Sequence, residues 1–251
     1  MSGQQQILVT GGAKGVGAAI VRALAASGYD VDFTYRSSGD QARALATEIS
    51  TAHAGCSIRA LPVDLADKPS VETFCEALED TTYYAYVHNA GQPYDVLAAM
   101  MSQDKAEVAM QVNFWSMTRI VKSVVRGMMR ARSGRIIGIG SVAALEGNQG
   151  NAAYAATKGA MLSYVRTLAV ETAKRGVTVN YLAPGFIDTD MLAPYANYRE
   201  QMQKQIPAGR FASPEDIAAF VRFLVSKEAG YITGAVLPID GGLTATIAIQ
   251  R

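Results

Sequence analysis

The chain has 251 residues, 49% of them hydrophobic and 18% charged, with a formal net charge of +1. That composition suits one large globular domain with a full core, and the near-neutral balance argues against nucleic acid or a membrane surface as partner. Two cysteines, Cys56 and Cys75, and two histidines, His53 and His88, show no metal-ligand spacing. No metal and no disulfide framework is therefore expected, and a reducing, cytoplasmic compartment fits. No stretch approaches the roughly 20 apolar residues of a membrane span. The segment MSGQQQILVTGG has neither the charged start nor the long apolar run of a secretory signal.

Short apolar runs alternate with helical patterns, with no linker or composition break, so a single domain over 1–251 is the economical reading. The first strand, QILVT at 6–10, runs straight into TGGAKGVG at 10–17, which opens a helix over 15–27. Gly11, Gly15 and Gly17 allow a tight turn and a close approach to the backbone. The helix start then offers free N–H groups and a positive dipole end to a pyrophosphate. Between a first strand and a first helix this is a dinucleotide signal, with Lys14 and Val16 inside the turn. The second strand, DVDFTY at 30–35, ends in Arg36-Ser37-Ser38, where NAD sites carry an acidic residue for the ribose 2′-hydroxyl. Asp32 lies inside that strand, too early for this role. A cation followed by hydroxyls, Arg36 and Ser37, suits a 2′-phosphate, and Lys14 adds a second charge, so NADP(H) is expected.

A helix over 40–53 precedes the third strand, SIRALP at 57–62. Asp64, with Leu65 beside it, either accepts a hydrogen bond from the adenine amino group or caps the turn before Lys68-Pro69. A helix over 69–80, a strand YYAYVH at 83–88 and one long helix over 104–131 follow. In that helix Arg119, Lys122, Arg126 and Arg130 fall on one stripe, with Val121, Val124, Val125 and Met128 facing the core. The fifth strand, RIIGIG at 135–140, leads to Ser141, and a helix over 152–174 opens on NAAYAATKGAM. Its Tyr154 and Lys158, at i and i+4, share a face with only small residues between them. A phenol has a pKa of about 10. An ammonium ~4 Å away at an effective dielectric of ~20 interacts by roughly 4 kcal/mol, enough to lower that pKa by up to ~2–3 and make Tyr154 a usable acid or base. A strand VTVNYL at 177–182 precedes the irregular stretch 183–213, with the character of a lid or binding loop. A helix over 214–226, introduced by Ser213-Pro214-Glu215, and a strand AVLPI at 235–239 complete the order. Strand–helix alternation with near-continuous apolar strands predicts an α/β fold with a parallel sheet covered on both faces.

TGGAKGVG, HNAG at 88–91, Asn113, Ser141, Y-x-x-x-K at 154–158 and PG at 184–185 together resemble the short-chain dehydrogenase/reductases in order and spacing, from about residue 6 to 242. GRIIGIGSVAA (134–144), APGFIDTDM (183–191), IPAGRFASPEDIA (206–218), YITG (231–234) and IDGG (239–242) resemble the bacterial 3-oxoacyl-[acyl-carrier-protein] reductases among them. The resemblance implies a doubly wound, seven-stranded parallel sheet of Rossmann topology and a catalytic group of Asn113, Ser141, Tyr154 and Lys158. Ser141 would hold a substrate carbonyl oxygen, Tyr154 would give it a proton, and Lys158 would tune Tyr154 and bind the nicotinamide ribose. Asn113 would hold a water joining Lys158 to solvent. Asn89, Ala90 and Gly91 would line the cofactor, and Ile187 and Thr189, after Pro184 and Gly185, would meet its carboxamide end. His88 departs from the family, which has asparagine or a small or apolar residue there, and reads as a packed, hydrogen-bonded side chain. QPYDVLAAMM at 92–101 is less typical.

Arg132 and Arg175 match the family's carrier-docking arginines, and the basic stripe agrees with an acidic acyl carrier protein as partner; a solvated face or a subunit interface is the alternative. The family is usually tetrameric, so a homotetramer is expected. The expected reaction is NADPH-dependent reduction of a 3-oxoacyl-carrier-protein thioester in fatty-acid or polyketide-type synthesis. The alternatives are a free ketone, sugar or coenzyme A thioester as substrate, or a dinucleotide-binding sensor without turnover.

Overall fold

In the computed structural model, which describes residues 4–246, the strands are β1 (Gln6–Thr10), β2 (Asp30–Tyr35), β3 (Ile58–Pro62), β4 (Tyr83–His88), β5 (Gly134–Ile139), β6 (Val177–Pro184) and β7 (Val236–Ile239). Residues 1–3 and 247–251 of the expected 1–251 domain lie outside the described residues, as does the start of the segment read against a secretory signal. Every residue of β4, β5 and β6 is buried. A strand sheathed on both faces has no polar side, which is why these runs are continuous rather than alternating. The strands form one parallel sheet in the order β3-β2-β1-β4-β5-β6-β7. The strand order reverses between β1 and β4, and the crevice beyond their carboxyl ends is where open α/β sheets bind ligands.

Helices α1 (Gly15–Ala26), α2 (Gly39–Ala52) and α8 (Pro214–Val225) cover one face; α3 (Lys68–Leu78), α5 (Ser116–Ala131) and α6 (Ala152–Thr172) cover the other. Ile20 and Leu24 of α1 pack with Val221 and Leu224 of α8, all 0% exposed. Each such side chain contributes about 1.5–3 kcal/mol by leaving water. The start of α8 is locked as its sequence implies: Ser213 accepts from Asp216 N–H at 3.2 Å and Asp216 from Ser213 N–H at 2.8 Å, with Pro214 at the first helical position.

Two elements differ from expectation. The long helix over 104–131 is three pieces: α4 (Gln103–Met110), a π-helical turn over Gln111–Trp115, and α5. A one-residue insertion leaves the apolar pattern on either side of it readable as one helix, so the sequence hides it; such turns gather at functional sites, and this one carries Asn113. The stretch 183–213 is also more ordered than expected. β6 extends to Pro184, a 3-10 segment spans Asp190–Tyr198, and α7 spans Arg199–Lys204. A bridge between Ile187 and Ala212 closes its base.

Candidate active site

The carboxyl end of β5 is shaped by a steric demand. A Cβ on Gly140 would fall 1.8 Å from the Tyr181 ring, so only glycine lets that ring pass. The Tyr181 hydroxyl then accepts from Ser141 N–H at 2.9 Å and donates to Ser141 C=O at 3.2 Å, clasping the serine's main chain from both sides. Ser141 Oγ accepts from Ala143 N–H at 3.1 Å, which leaves its own hydrogen free to donate. No local pattern announces Tyr181. Its contact runs across the β5–β6 pair, and within VTVNYL it reads only as apolar filling.

Tyr154 and Lys158 lie one turn apart on α6, with Lys158 Nζ 5.6 Å from the tyrosine ring centre. The ammonium is 2% exposed and donates to Ile139 C=O at 2.9 Å, so it is anchored to the end of β5. Burial lowers its pKa to about 8. The expected lowering of Tyr154 is not found. Burial pushes its pKa up to about 12, helped by the nearby Asp95 carboxylate, while the Ser141 hydroxyl pulls the other way. Lys158 faces the ring and the Ile139 carbonyl, so desolvation outweighs its pull on the phenol oxygen. The consequence is a tyrosine that keeps its proton at neutral pH, the form a proton donor needs.

Asn113 is 0% exposed, and the π turn aims its amide at the loop after β4 and at α6. Oδ1 accepts from Gln92 N–H at 2.7 Å; Nδ2 donates to Gln92 C=O at 3.0 Å and to Thr157 Oγ1 at 2.9 Å. A Cβ on Gly91 would lie 3.4 Å from Lys158 Nζ and 3.6 Å from Asn113 Oδ1, so glycine, lysine and asparagine converge. Ser141, Tyr154, Lys158 and Asn113 therefore meet at one edge of the sheet. The expected histidine role also holds: His88 is buried and fully hydrogen-bonded.

The glycine turn sits across the switch point from this group. A Cβ on Gly17 would be 2.0 Å from Gly11 C=O, and Gly11 and Gly15 take φ of +67° and +49°. The turn is held from β4: Asn89 Nδ2 donates to Thr10 C=O at 3.1 Å and to Gly11 C=O at 3.0 Å, and Ala90 N–H reaches Thr10 Oγ1 at 3.2 Å. The Asn89 amide thus shapes the turn. Thr189 closes in from the other side, 3.5 Å from where a Gly15 Cβ would be. Pro184 ends β6, Gly185 N–H donates to Ile239 C=O at 3.1 Å, and Ile187 packs on the core below the crevice.

Inside β2, short of the crevice, Asp32 is 0% exposed. It receives two bonds from the Arg59 guanidinium, at 2.7 and 2.6 Å, and one from the Tyr83 hydroxyl at 2.6 Å, so its carboxylate is fully engaged inside the sheet. Arg36 and Ser37 are exposed beyond β2, Lys14 is exposed in the glycine turn, and neither cation is paired with a carboxylate among the described residues. Asp64 makes a local turn, accepting from Ala66 N–H at 2.9 Å; the cap of α3 is Asp67. Gln111 of the π turn donates to Leu65 C=O at 3.1 Å, linking that loop to the turn that carries Asn113.

Arg132 and Arg175 lie together: a Cβ on Gly176 would come 2.3 Å from Arg132 C=O. They precede β5 and β6, so they sit at the amino edge of the sheet, with Ser141, Tyr154 and Lys158 at the carboxyl edge. The length of a six-residue strand, about 20 Å, separates them. The basic stripe is not a free positive face either. Arg119, Lys122, Arg126 and Arg130 face Glu72 and Glu76 of α3, and Glu79 just past its end, across a groove of about 460 Å³. No group of three or more His, Cys, Asp or Glu side chains among the described residues is placed to hold a metal.

A sequence model for the family described as Enoyl-(Acyl carrier protein) reductase matches residues 11–244. The chain is 40% identical over 239 residues to the 3-oxoacyl-[acyl-carrier-protein] reductase FabG of Vibrio cholerae, covering 94% of this chain and 96% of that one. It is 39% identical to the Escherichia coli protein of the same name and 37% to that of Aquifex aeolicus, each with the same coverage. A solved structure provisionally described as a betaketoacyl-ACP reductase superposes with a TM-score of 0.86 at 31% identity, over 96% of this chain and 98% of that one. With the glycine turn at the switch point and serine, tyrosine and lysine gathered across from it, this chain belongs to the short-chain dehydrogenase/reductase family.

Proposed function

We propose that the protein is an NADPH-dependent reductase of a 3-oxoacyl group carried on an acyl carrier protein, with one cofactor-binding domain over the whole chain. The observation that carries this reading is the convergence of the Ser141 hydroxyl, the protonated Tyr154 and the buried Lys158 ammonium beside a glycine turn. Relatives at 37–40% identity named for that activity support it.

When bound, NADPH supplies a hydride to the substrate carbonyl carbon. The residues present fit it. Gly11, Lys14, Gly15, Val16 and Gly17 offer the pyrophosphate a bare backbone and a helix start. Arg36 and Ser37, with Lys14, suit a 2′-phosphate, and the only carboxylate within β2's buried run, Asp32, is held by Arg59 and Tyr83. Asp64 and Leu65 flank the adenine end; Asn89, Ala90 and Gly91, then Pro184, Gly185, Ile187 and Thr189, flank the rest. Ser141 donates to the carbonyl oxygen and stabilises charge as it develops there. Tyr154 hands that oxygen its proton. Lys158 then faces a phenolate and holds it by charge, and Asn113 fixes the helix that carries both.

Carrier docking at Arg132 and Arg175 fits a homotetramer, because the two arginines lie at the edge of the sheet remote from their own catalytic group and would serve a neighbouring copy. Both cysteines are free, in keeping with a reducing, cytoplasmic setting.

NADPH consumption measured with acetoacetyl-carrier protein against a panel of free ketones, sugars and coenzyme A thioesters tests the substrate. The reading expects the carrier-bound substrate to lead in kcat/KM; a wide margin for a free substrate overturns it.

A further inference from the structure

A chain of buried hydrogen bonds runs from the glycine turn to the catalytic helix through a residue that the mechanism leaves unused. Thr10, Tyr86, His88 and Asn113 are all 0% exposed. His88 Nε2 lies 3.1 Å from Asn113 C=O, and a carbonyl oxygen only accepts. Nε2 therefore carries the ring hydrogen, and Nδ1 of the neutral ring is an acceptor. Facing Nδ1 are the Tyr86 hydroxyl at 2.8 Å and Thr10 Oγ1 at 3.2 Å, both able to donate. Thr10 Oγ1 already accepts from Asn89 and Ala90 N–H, so its remaining hydrogen points into this cluster. Beyond Asn113 the chain continues: Nδ2 donates to Thr157 Oγ1 at 2.9 Å, and the Thr157 hydroxyl donates to Tyr154 C=O at 2.8 Å.

We propose that His88 is a positioning residue: its Nε2–H, held to the Asn113 carbonyl, seats the π turn and through it sets Thr157, Tyr154 and Lys158 on α6. A buried carbonyl without a partner is costly, and His88 offers a donor to the Asn113 carbonyl within the π turn. Deep burial, with the Lys158 charge close by, lowers its pKa to about 3, so the ring stays uncharged across working pH. The proposal rests on the reductase reading for its kinetic consequence, but not for its geometry.

Two substitutions and one spectrum test it. His88→Leu removes the donor; His88→Gln places an amide N–H where Nε2 stood. A displaced catalytic group lowers kcat with little change in ground-state binding, so His88→Leu is expected to lose about 10- to 100-fold in kcat. KM and NADPH affinity should stay within about threefold, and His88→Gln should recover most of the loss. Nitrogen NMR of the imidazoles, with His53→Gln removing the other histidine signal, is expected to show a protonated Nε2 and a bare Nδ1. Wild-type kcat in His88→Leu overturns the proposal, as does equal impairment of both folded variants. So does a protonated Nδ1 in the wild-type protein, a result available even if His88→Leu fails to fold. A wild-type chain that turns over no ketone overturns the reductase reading instead, and the tautomer still decides the role of His88.

Discussion

At the scale of single residues the governing quantity is where protons sit. Lys158 has its pKa lowered from 10.5 to about 8 by burial, and Tyr154 has its raised from 10.0 to about 12. Reduction needs the tyrosine protonated and the lysine charged. The kcat/KM for NADPH, which reports the free enzyme, is therefore expected to hold level below about pH 8 and to fall above it as Lys158 loses its proton. The stability contribution runs the other way. A base whose folded pKa lies below its unfolded one destabilises the fold while charged in both states; that penalty fades as pH rises from about 8 and is gone above 10.5. A profile that stays level to pH 10 would remove Lys158 from the mechanism. The cofactor preference is also a residue-scale matter. Arg36→Asp should weaken NADPH by about 10-fold or more, as for a lost charge-assisted contact, and leave NADH nearly unchanged; equal losses by titration would refute the 2′-phosphate assignment.

Elements set how those residues are held, and here the sequence was legible unevenly. Tyr154 and Lys158 were readable because i and i+4 share a helix face, and Gly11, Gly15 and Gly17 because a strand-to-helix turn constrains their backbone. Tyr181, Thr157 and Gln92 were not, since each acts through a partner at least 21 residues away or through an apolar-looking position. The π turn was hidden for a related reason: one inserted residue leaves the apolar stripe on either side intact. The stretch 183–213, expected to serve as a lid, reads as irregular because its pieces are short. Asp95 ties it down, accepting from Asn151 Nδ2 at 2.5 Å and from the Tyr195 hydroxyl, and so joins the loop after β4, the start of α6 and this stretch. At the base, Arg199 pairs with Asp188 at 2.6 Å and lies over the Phe211 ring. Tyr195→Phe removes one exposed hydrogen bond of about 0.5–1.5 kcal/mol. It should raise substrate KM up to about 10-fold with kcat little changed, and limited proteolysis between 190 and 204 should quicken. An unchanged cleavage rate would mean that this contact does not hold the stretch.

For the whole molecule, the alternation of strands and helices carried the architecture, since near-continuous apolar strands admit only a doubly covered parallel sheet. Charge was less legible, because a stripe on α5 says nothing of what stands opposite. Folding brings Glu72, Glu76 and Glu79 against it and leaves Arg132 and Arg175 at the amino edge as the cations to test. Reversing both charges should lower kcat/KM for a carrier-bound substrate by about 10-fold at low salt, less at high salt, and spare a free ketone. Equal effects on both substrates would place the arginines in folding or assembly and not in docking.

The most direct measurement is single-turnover reduction by Tyr154→Phe, with NADPH affinity determined on the same sample. The account predicts a loss of at least about 100-fold in the chemical step, the scale of a missing general acid, with NADPH binding nearly intact. Turnover near the wild-type rate would contradict it.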